Sequence, residues 1–452
     1  MNPQVILGVL WKRGLLRRHD RWSRERLLSY QGQGLSDLRD YAYAHSRFYQ
    51  RFHRGLEQRP LGQLPVLTKA DLMEHFDELV TDPAIRLSEV ESHLKVLRDD
   101  ERYLNRYWVC ATSGSTGRRG IFLYDLDEWT TVLASYARVY AWGGVQVGLT
   151  KRSKVAVVST TTPFHQSARV GSTVQSPLVP TLRLDAADPL ESNVARLNAF
   201  RPEALVAYAS MARRLAVEQL EGRLRIAPRA VSTASEVLTE EARRLIAQAW
   251  GKPPYNVYGA TETATIAAEC EHQQGLHFFE DLVISEVVDE RNRPVPPGEY
   301  GAKVLVTVLF SRTQPLIRYE MSDSLCSSGK TCPSGRPYAM LEGVQGRLEE
   351  VLHLPALAGG EVAIQPNVIH DVMDLTSVAG WQVVLGDDGL RVLLTGEAQP
   401  QLEAELRSRL ITSLATRGVA RLPLSVLWVP EIPKNPLGKT PLIRREAPRS
   451  TA

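Results

Sequence analysis

The chain has 452 residues, 43% of them hydrophobic and 23% charged, with 54 Lys and Arg against 51 Asp and Glu. That length exceeds what one hydrophobic core supports and predicts two or more domains. A net charge of +3 gives no case for a nucleic-acid partner, and no apolar run approaches the roughly 20 residues that span a bilayer.

The first hundred residues read as mainly helical. Helical periodicity runs over Ser23 to His53 and Ser88 to Asp99, with a proline-marked link at Pro60 to Pro65. Trp11 to Leu28 interleaves Lys12, Arg13, Arg17, Arg18, Arg21, Arg24 and Arg26 with apolar residues. It reads as a surface helix with a solvated basic face rather than a membrane-binding one. Val5 to Trp11 leads into arginines without a small-residue cleavage site, so a cytoplasmic protein is the expectation. Four cysteines in a chain of this size predict no disulfide framework. Cys110 reads as a small core residue.

Next comes Ala111-Thr112-Ser113-Gly114-Ser115-Thr116-Gly117-Arg118-Arg119-Gly120. Small residues let backbone N–H groups point into one concavity, and hydroxyls and arginines add donors and charge, which suits phosphate oxygens. The Gly-Lys-Ser/Thr ending of the common NTPase loop is missing. Such a composition also makes ordinary turns, so its meaning depends on the residues downstream.

Beyond it strand and helix alternate. Helices are predicted over Asp127–Ala141, Pro189–Ala199, Met211–Leu220 and Thr239–Trp250, and strands over Lys154–Ser159, Ala204–Ala207, Ala230–Ser232 and Tyr255–Val257. Alternation of this kind predicts βαβ units and parallel sheet. Val283–Val288 and Lys303–Phe310 flank Pro296-Pro297-Gly298 and suggest a hairpin or small barrel. Past Arg347, two strands around Gly386–Gly389, a helix over Glu403–Thr416 and a strand over Ser425–Val429 form a small unit. The predicted fold class is α/β. A large N-terminal domain (1–347) has mixed and parallel sheets, flanking helices and a β-rich subdomain, and a small α+β C-terminal domain (348–452) completes the chain.

Four further motifs carry chemistry. Tyr258-Gly259-Ala260-Thr261-Glu262 puts a carboxylate past a strand end, where open sheets bind ligands and where hard oxygens suit Mg²⁺ shared with phosphates. In Arg318-Tyr319-Glu320-Met321-Ser322-Asp323 the last carboxylate can accept from both hydroxyls of a ribose. Gly346-Arg347-Leu348-Glu349-Glu350 marks the domain junction, and Asn435-Pro436-Leu437-Gly438-Lys439 lies near the C-terminus. Separately, Cys270, His277, Cys326 and Cys332 have the composition of a closed structural zinc site, with His272 as the alternative nitrogen ligand. Buried reduced cysteines are the competing reading.

In this order and spacing, the glycine loop and these four motifs resemble the AMP-forming adenylate-forming superfamily, over about residues 100 to 443. A narrower likeness is to the phenylacetate–CoA ligase and coenzyme F390 synthetase branch. It rests on Glu269-Cys270-Glu271, Gly275-Leu276-His277, Glu280-Asp281 and Pro315-Leu316-Ile317-Arg318-Tyr319. The resemblance implies ATP, with Thr112, Ser113, Gly114, Ser115, Thr116 and Gly117 around its β- and γ-phosphates. Ser235 and Glu236 would lie along the adenine and Tyr258 would stack on it, with Gly259 and Thr261 in the same motif. Glu262 would hold Mg²⁺, Asp323 the ribose hydroxyls, and Arg347 ribose or phosphate. Lys439 would bridge acyl carboxylate and α-phosphate. Glu349 takes the hinge position of a C-terminal domain that rotates between half-reactions. Phe164, His165, Tyr208, Thr233 and Ala234 fall where relatives place the acid pocket, though Phe164 and His165 are equally read as packing. A Cys/His zinc knot is also common in the branch.

The implied enzyme joins an aromatic or other hydrophobic carboxylic acid to coenzyme A through an acyl-AMP. The acceptor could instead be a carrier protein, an amine or a hydroxyl, or the chain could be a catalytically silent binding relative. A homodimer is left open. The sequence departs from the family pattern at Arg118 and Arg119, where Lys-Pro is usual, at Met321-Ser322-Asp323 for Thr-Gly-Asp, and at Glu349-Glu350 for two aspartates.

Overall fold

The computed structural model describes residues 3–112, 119–145, 152–176, 179–347, 351–364, 366–373, 378, 380–433 and 441–446. Helices α1 (Pro3–His19), α2 (Arg24–His45), α3 (Arg47–Phe52), α4 (Lys69–Glu74), α5 (Phe76–Leu79) and α6 (Leu87–Val96) come first. They lead to β1 (Trp108–Ala111), β2 (Ile121–Tyr124), α7 (Leu126–Trp142), β3 (Val155–Ser159), α8 (Gln166–Val174), β4 (Thr181–Asp185), α9 (Leu190–Phe200) and β5 (Ala204–Tyr208). Then come α10 (Ala209–Leu220), β6 (Ala230–Ala234), α11 (Glu240–Trp250), β7 (Tyr255–Ala260), β8 (Ala264–Glu269) and β9 (Leu276–Phe278). The β-rich part holds β10 (Val283–Val288), β11 (Lys303–Val308), β12 (Tyr319–Met321), β13 (Asp323–Ser328) and β14 (Met340–Arg347). The rest comprises β15 (Leu352–Pro355), β16 (Glu361–Ile364), α12 (Pro366–Met373), β17 (Gly380–Gly386), β18 (Gly389–Thr395), α13 (Pro400–Ala415), β19 (Leu424–Trp428) and β20 (Ile443–Arg445).

A nine-stranded sheet of order β13-β14-β9-β8-β7-β6-β5-β3-β4 organises the large domain. From β4 to β7 every pairing is parallel, and at β8 it turns antiparallel. Strands buried on both faces explain the short apolar runs, such as Val155–Ser159 and Ala204–Tyr208, that mark this region in the sequence. A second, antiparallel sheet, β10-β11-β12, is the β-rich subdomain. The C-terminal domain carries the sheet β19-β18-β17-β20, the hairpin β15-β16 and a hydrophobic core of its own from Leu352 to Ile443. Among the described residues no helix is long and apolar enough to cross a membrane.

The basic run Trp11 to Leu28 is two helices rather than one. α1 ends at His19, and Ser23 caps α2 by accepting from the Arg26 N–H at 3.3 Å. The reason for the break is buried charge. His19, 1% exposed, turns inward so that its Nδ1 meets Asp281 Oδ2 at 2.7 Å. Arg138 of α7 donates to both oxygens of the same carboxylate, at 2.9 and 2.5 Å. Burial alone would raise the Asp281 carboxyl, but Arg138 and then His19 hold it well below the usual carboxylate range.

Asp125 and Glu128 start α7 as a reciprocal capping box. The buried Glu128 side chain also accepts from the Arg312 and Thr313 N–H groups and the Thr313 hydroxyl, tying α7 to the loop after β11. Burial, then the neighbouring Asp125, pushes its carboxyl up to about 7. Trp129 of α7 stacks on Trp108 of β1 with ring centroids 5.7 Å apart, forming a floor under the β1–β2 hairpin. Cys110 is fully buried in β1, and burial pushes its thiol up to about 12, as suits an inert core residue.

Candidate active site

β3, β4, β5, β6 and β7 are parallel, so their C-terminal ends share one edge of the sheet. That edge is where open α/β sheets bind ligands. It collects Thr160–His165 after β3, Asp185 ending β4, Tyr208 ending β5, Thr233–Glu236 at the end of β6, and Tyr258–Glu262 at the end of β7.

Hydrogen bonds knit these segments together. The Tyr208 oxygen, on a buried ring, accepts from the Thr160 N–H at 3.0 Å. Asp185 Oδ2 accepts from both the N–H and the hydroxyl of Thr161, at 2.9 and 2.5 Å. Glu236 accepts from the Ser210 N–H in the first turn of α10 at 2.9 Å, while Ser235 before it has φ +67° and is exposed. The Thr233 hydroxyl is buried with no hydrogen-bond partner among the described residues, and Ala234 beside it is half-buried.

The strands on either side of the glycine loop pair antiparallel. β1 and β2 pair from Trp108–Tyr124 to Ala111–Ile121. Thr112 closes the base, its N–H donating to the Gly120 carbonyl and its hydroxyl accepting from the Gly120 N–H, each at 2.9 Å. Ser113, Gly114, Ser115, Thr116, Gly117 and Arg118 lie outside the described residues. Arg119 sets its guanidinium 4.7 Å from the centre of the Phe164 ring, and the Ala111 N–H donates to the Phe164 carbonyl at 2.8 Å. Phe164 thus links the hairpin to the Thr160–His165 loop, and buried His165 opens α8 behind it.

Tyr258 is buried in β7, and Glu262 sits half-buried in the β7–β8 turn. A bulge follows Tyr258, and a Cβ on Gly259 would stand 2.6 Å from the Ala264 carbonyl, so only glycine fits that position. The turn closes with the Thr263 N–H on the Ala260 carbonyl at 3.3 Å. Half-exposure, hard oxygens and a fixed turn make Glu262 a fitting Mg²⁺ ligand.

Asp323 opens β13 and pairs in register with Arg347, the last residue of β14. The two residues expected at the ribose are therefore cross-strand neighbours, and Asp323 stands on a strand rather than a free loop. Arg318 has a different position: it is buried at φ +52°, pairs with Glu286 through two bonds of 3.0 Å, and donates to the Leu64 carbonyl at 2.6 Å. It staples the N-terminal helical segment to β10. Glu349 and Lys439 lie outside the described residues.

The cysteine–histidine group is smaller than expected. Ligand atoms of Cys270, His277 and Cys332 lie within 4.8 Å of one another, and the Cys270 and Cys332 sulfurs are 3.6 Å apart. Two thiolates about 2.3 Å from one tetrahedral zinc would be separated by about 3.8 Å. Both ring nitrogens of His277 are buried without a hydrogen-bond partner among the described residues. Burial, helped by Arg336, lowers its pKa to about 4, which leaves the neutral imidazole. Cys326 does not join them. It sits on β13, and β14 separates that strand from His277 on β9, a two-strand offset of about 10 Å. Its thiol instead points to the Ser327 carbonyl at 3.7 Å. His272 is exposed and is not in the group either.

Sequence reasoning overlooked Asp185, Tyr124, Tyr136 and Gln166, which brace these segments. Asp185 ends a strand too polar to be read as one, Tyr124 and Gln166 reach a distant backbone carbonyl, and Tyr136 acts on the Gln166 side chain.

Compared with models of known protein families, the chain matches none. It is 28% identical over 353 residues to a phenylacetate-coenzyme A ligase of Thermus thermophilus, covering 73% of this chain and 72% of that one. It is 23% identical to protein CapK of Staphylococcus aureus over 66% of this chain and 63% of that one. Among solved structures it is similar to a 2-hydroxyisobutyryl-CoA ligase in its postadenylation state, with a TM-score of 0.73, 20% identity, and 95% and 92% of the two chains covered. An anthranilate CoA ligase is also similar, with a TM-score of 0.52, 16% identity, and 74% and 64% covered. The chain thus shares the overall fold of these CoA ligases.

Proposed function

We propose that the protein activates a carboxylic acid with ATP and passes the acyl group to the thiol of coenzyme A. The observation that carries this reading is the shared edge, where the glycine hairpin, the Thr160–His165 loop, Glu236 and the Glu262 turn meet. The similarity to a phenylacetate-coenzyme A ligase supports an aromatic or other hydrophobic acid and the corresponding branch.

In the first step a carboxylate oxygen bonds to the α-phosphorus and the bond to pyrophosphate breaks. The nucleophile is already ionised, so no general base is required. The need is positive charge where two anions meet, which Lys439 and Mg²⁺ on Glu262 would supply. Asp323 and Arg347 would hold the ribose end, and Tyr258 the adenine. In the second step the thiol sulfur bonds to the acyl carbon, AMP leaves, and the thiol proton passes to solvent. Phe164, His165, Tyr208, Thr233 and Ala234 would wall the acid site.

Cys270, His277 and Cys332 would hold a structural zinc, leaving its fourth position unassigned. Its contribution would be to fasten the β8–β9 turn to the loop after β13.

Lys439→Ala tests the assignment of chemistry. Acid-dependent pyrophosphate exchange should vanish while thioester formation from supplied acyl adenylate persists. Normal exchange in that variant would contradict the reading.

A further inference from the structure

The carbonyl of Thr261, the residue before Glu262, receives two buried donors. The Tyr124 hydroxyl reaches it at 2.5 Å and Gln166 Nε2 at 3.1 Å. Gln166 is 5% exposed and Tyr124 3%. The Gln166 amide is itself oriented, because the Tyr136 hydroxyl donates to its Oε1 at 2.8 Å. Tyr124 belongs to β2, which leaves the glycine hairpin, and Gln166 is the first residue of α8, which leaves the Thr160–His165 loop. Three segments of the site thus meet on one peptide group.

A carbonyl has two acceptor positions, and here both are filled from different directions. That fixes the plane of the Thr261–Glu262 peptide and with it the direction in which the Glu262 side chain leaves the backbone. A turn elsewhere needs no such bracing, since a carbonyl at a surface turn is satisfied by water.

We propose that Gln166 and Tyr124 are positioning residues for the Mg²⁺-binding carboxylate of Glu262, acting through the Thr261 carbonyl. The inference rests on the proposed reading of Glu262 as the Mg²⁺ ligand. Through the same peptide, the loop at the acid site and the hairpin at the phosphates are held in register with the metal ligand. Residues that orient a metal ligand typically change metal affinity by about 10- to 100-fold when replaced.

Calorimetric titration of the full chain with ATP, over a series of Mg²⁺ concentrations, tests this without needing the acid. In the unaltered protein Mg²⁺ should strengthen ATP binding. Gln166→Leu should keep its metal-free ATP affinity but need about tenfold more Mg²⁺ for the same gain. Gln166→Glu is the discriminating variant. At a pH high enough to ionise its buried carboxyl it still accepts from Tyr136 but has nothing to donate to Thr261, so there it should behave like the leucine variant. If Gln166 served only to fill space or to satisfy Tyr136, it would behave like the parent. Tyr124→Phe keeps volume and removes the second donor, covering the case in which the Gln166 variants fail to fold. An unchanged Mg²⁺ dependence in Gln166→Glu and Tyr124→Phe overturns the proposal while leaving the proposed function intact. A parent protein that binds no ATP at any Mg²⁺ concentration overturns both.

Discussion

Two polar clusters flank Trp142, and they differ in how their central group is paired. On one side the indole N–H donates to Asp20 at 3.0 Å, beside the Asp281–Arg138–His19 group. On the other the ring meets His277 edge to face at 5.4 Å, beside Cys270 and Cys332. Asp281 has both oxygens engaged by buried partners. His277 has neither nitrogen engaged among the described residues. The Asp281 carboxylate is fully paired as folded, although His19 Nε2 and Arg138 Nε have no hydrogen-bond partner among the described residues, whereas a neutral imidazole with an unused lone pair beside two thiols is suited to a metal. The first cluster therefore reads as architecture and the second as a candidate metal site, as proposed above.

The largest expected effect comes from breaking the Asp281 cluster. Asp281→Ala strands the Arg138 guanidinium and should cost about 3–5 kcal/mol in urea unfolding. Because the folded Asp281 carboxyl lies below its ordinary range, its contribution is present above about pH 4 and lost as pH falls further. Asp281→Asn should accordingly flatten the acid limb of the stability curve. A variant as acid-sensitive as the parent would contradict the role assigned to the pair.

The open cluster predicts the opposite dependence, on metal rather than on proton. Metal analysis should find about one zinc per chain. A chelator should lower the unfolding temperature by several degrees, and Cys332→Ala should remove both the zinc and the chelator effect. Cys326→Ala should leave the zinc in place, and its loss there would reinstate the four-residue set.

Smaller again is Glu128→Gln, which swaps one acceptor of a fully used carboxylate for a donor facing donors. About 1–3 kcal/mol of stability should go, read by the same unfolding curves. Arg119→Ala removes an exposed cation–π contact with Phe164 and should cost about 0.5–1 kcal/mol, seen as a ~2- to 5-fold rise in KM for the acid. No change would mean that Arg119 only covers the ring.

The contrast between the clusters also bears on how far a sequence can be read. The parallel strands were legible because burial on both faces makes them short apolar runs between capped helices, as at Ala204–Tyr208 and Thr239–Trp250. β4 was not, since Thr-Leu-Arg-Leu-Asp is half-polar at the sheet edge, nor α8, whose Gln-Ser-Ala-Arg-Val-Gly-Ser-Thr-Val has little apolar content. β9 and β14 pair across more than sixty residues, a register that local pattern does not encode. Motif residues on turns, such as Glu262, could be picked out by chemistry. Gln166 could not, because its partner lies 95 residues away and is a backbone carbonyl. Counting cysteines suggested four zinc ligands, and only strand order separated Cys326 from the rest.

Pyrophosphate release by the unaltered protein tests the proposed chemistry most directly, measured with ATP and Mg²⁺ across a panel of aromatic and aliphatic carboxylic acids, with and without coenzyme A. Acid-dependent release should rise when coenzyme A is added, with AMP and an acyl thioester as products. Release that needs the acid but ignores coenzyme A would move the acceptor to a carrier protein, an amine or a hydroxyl. No acid-dependent release with any member of the panel would contradict acid activation and favour a silent binding relative.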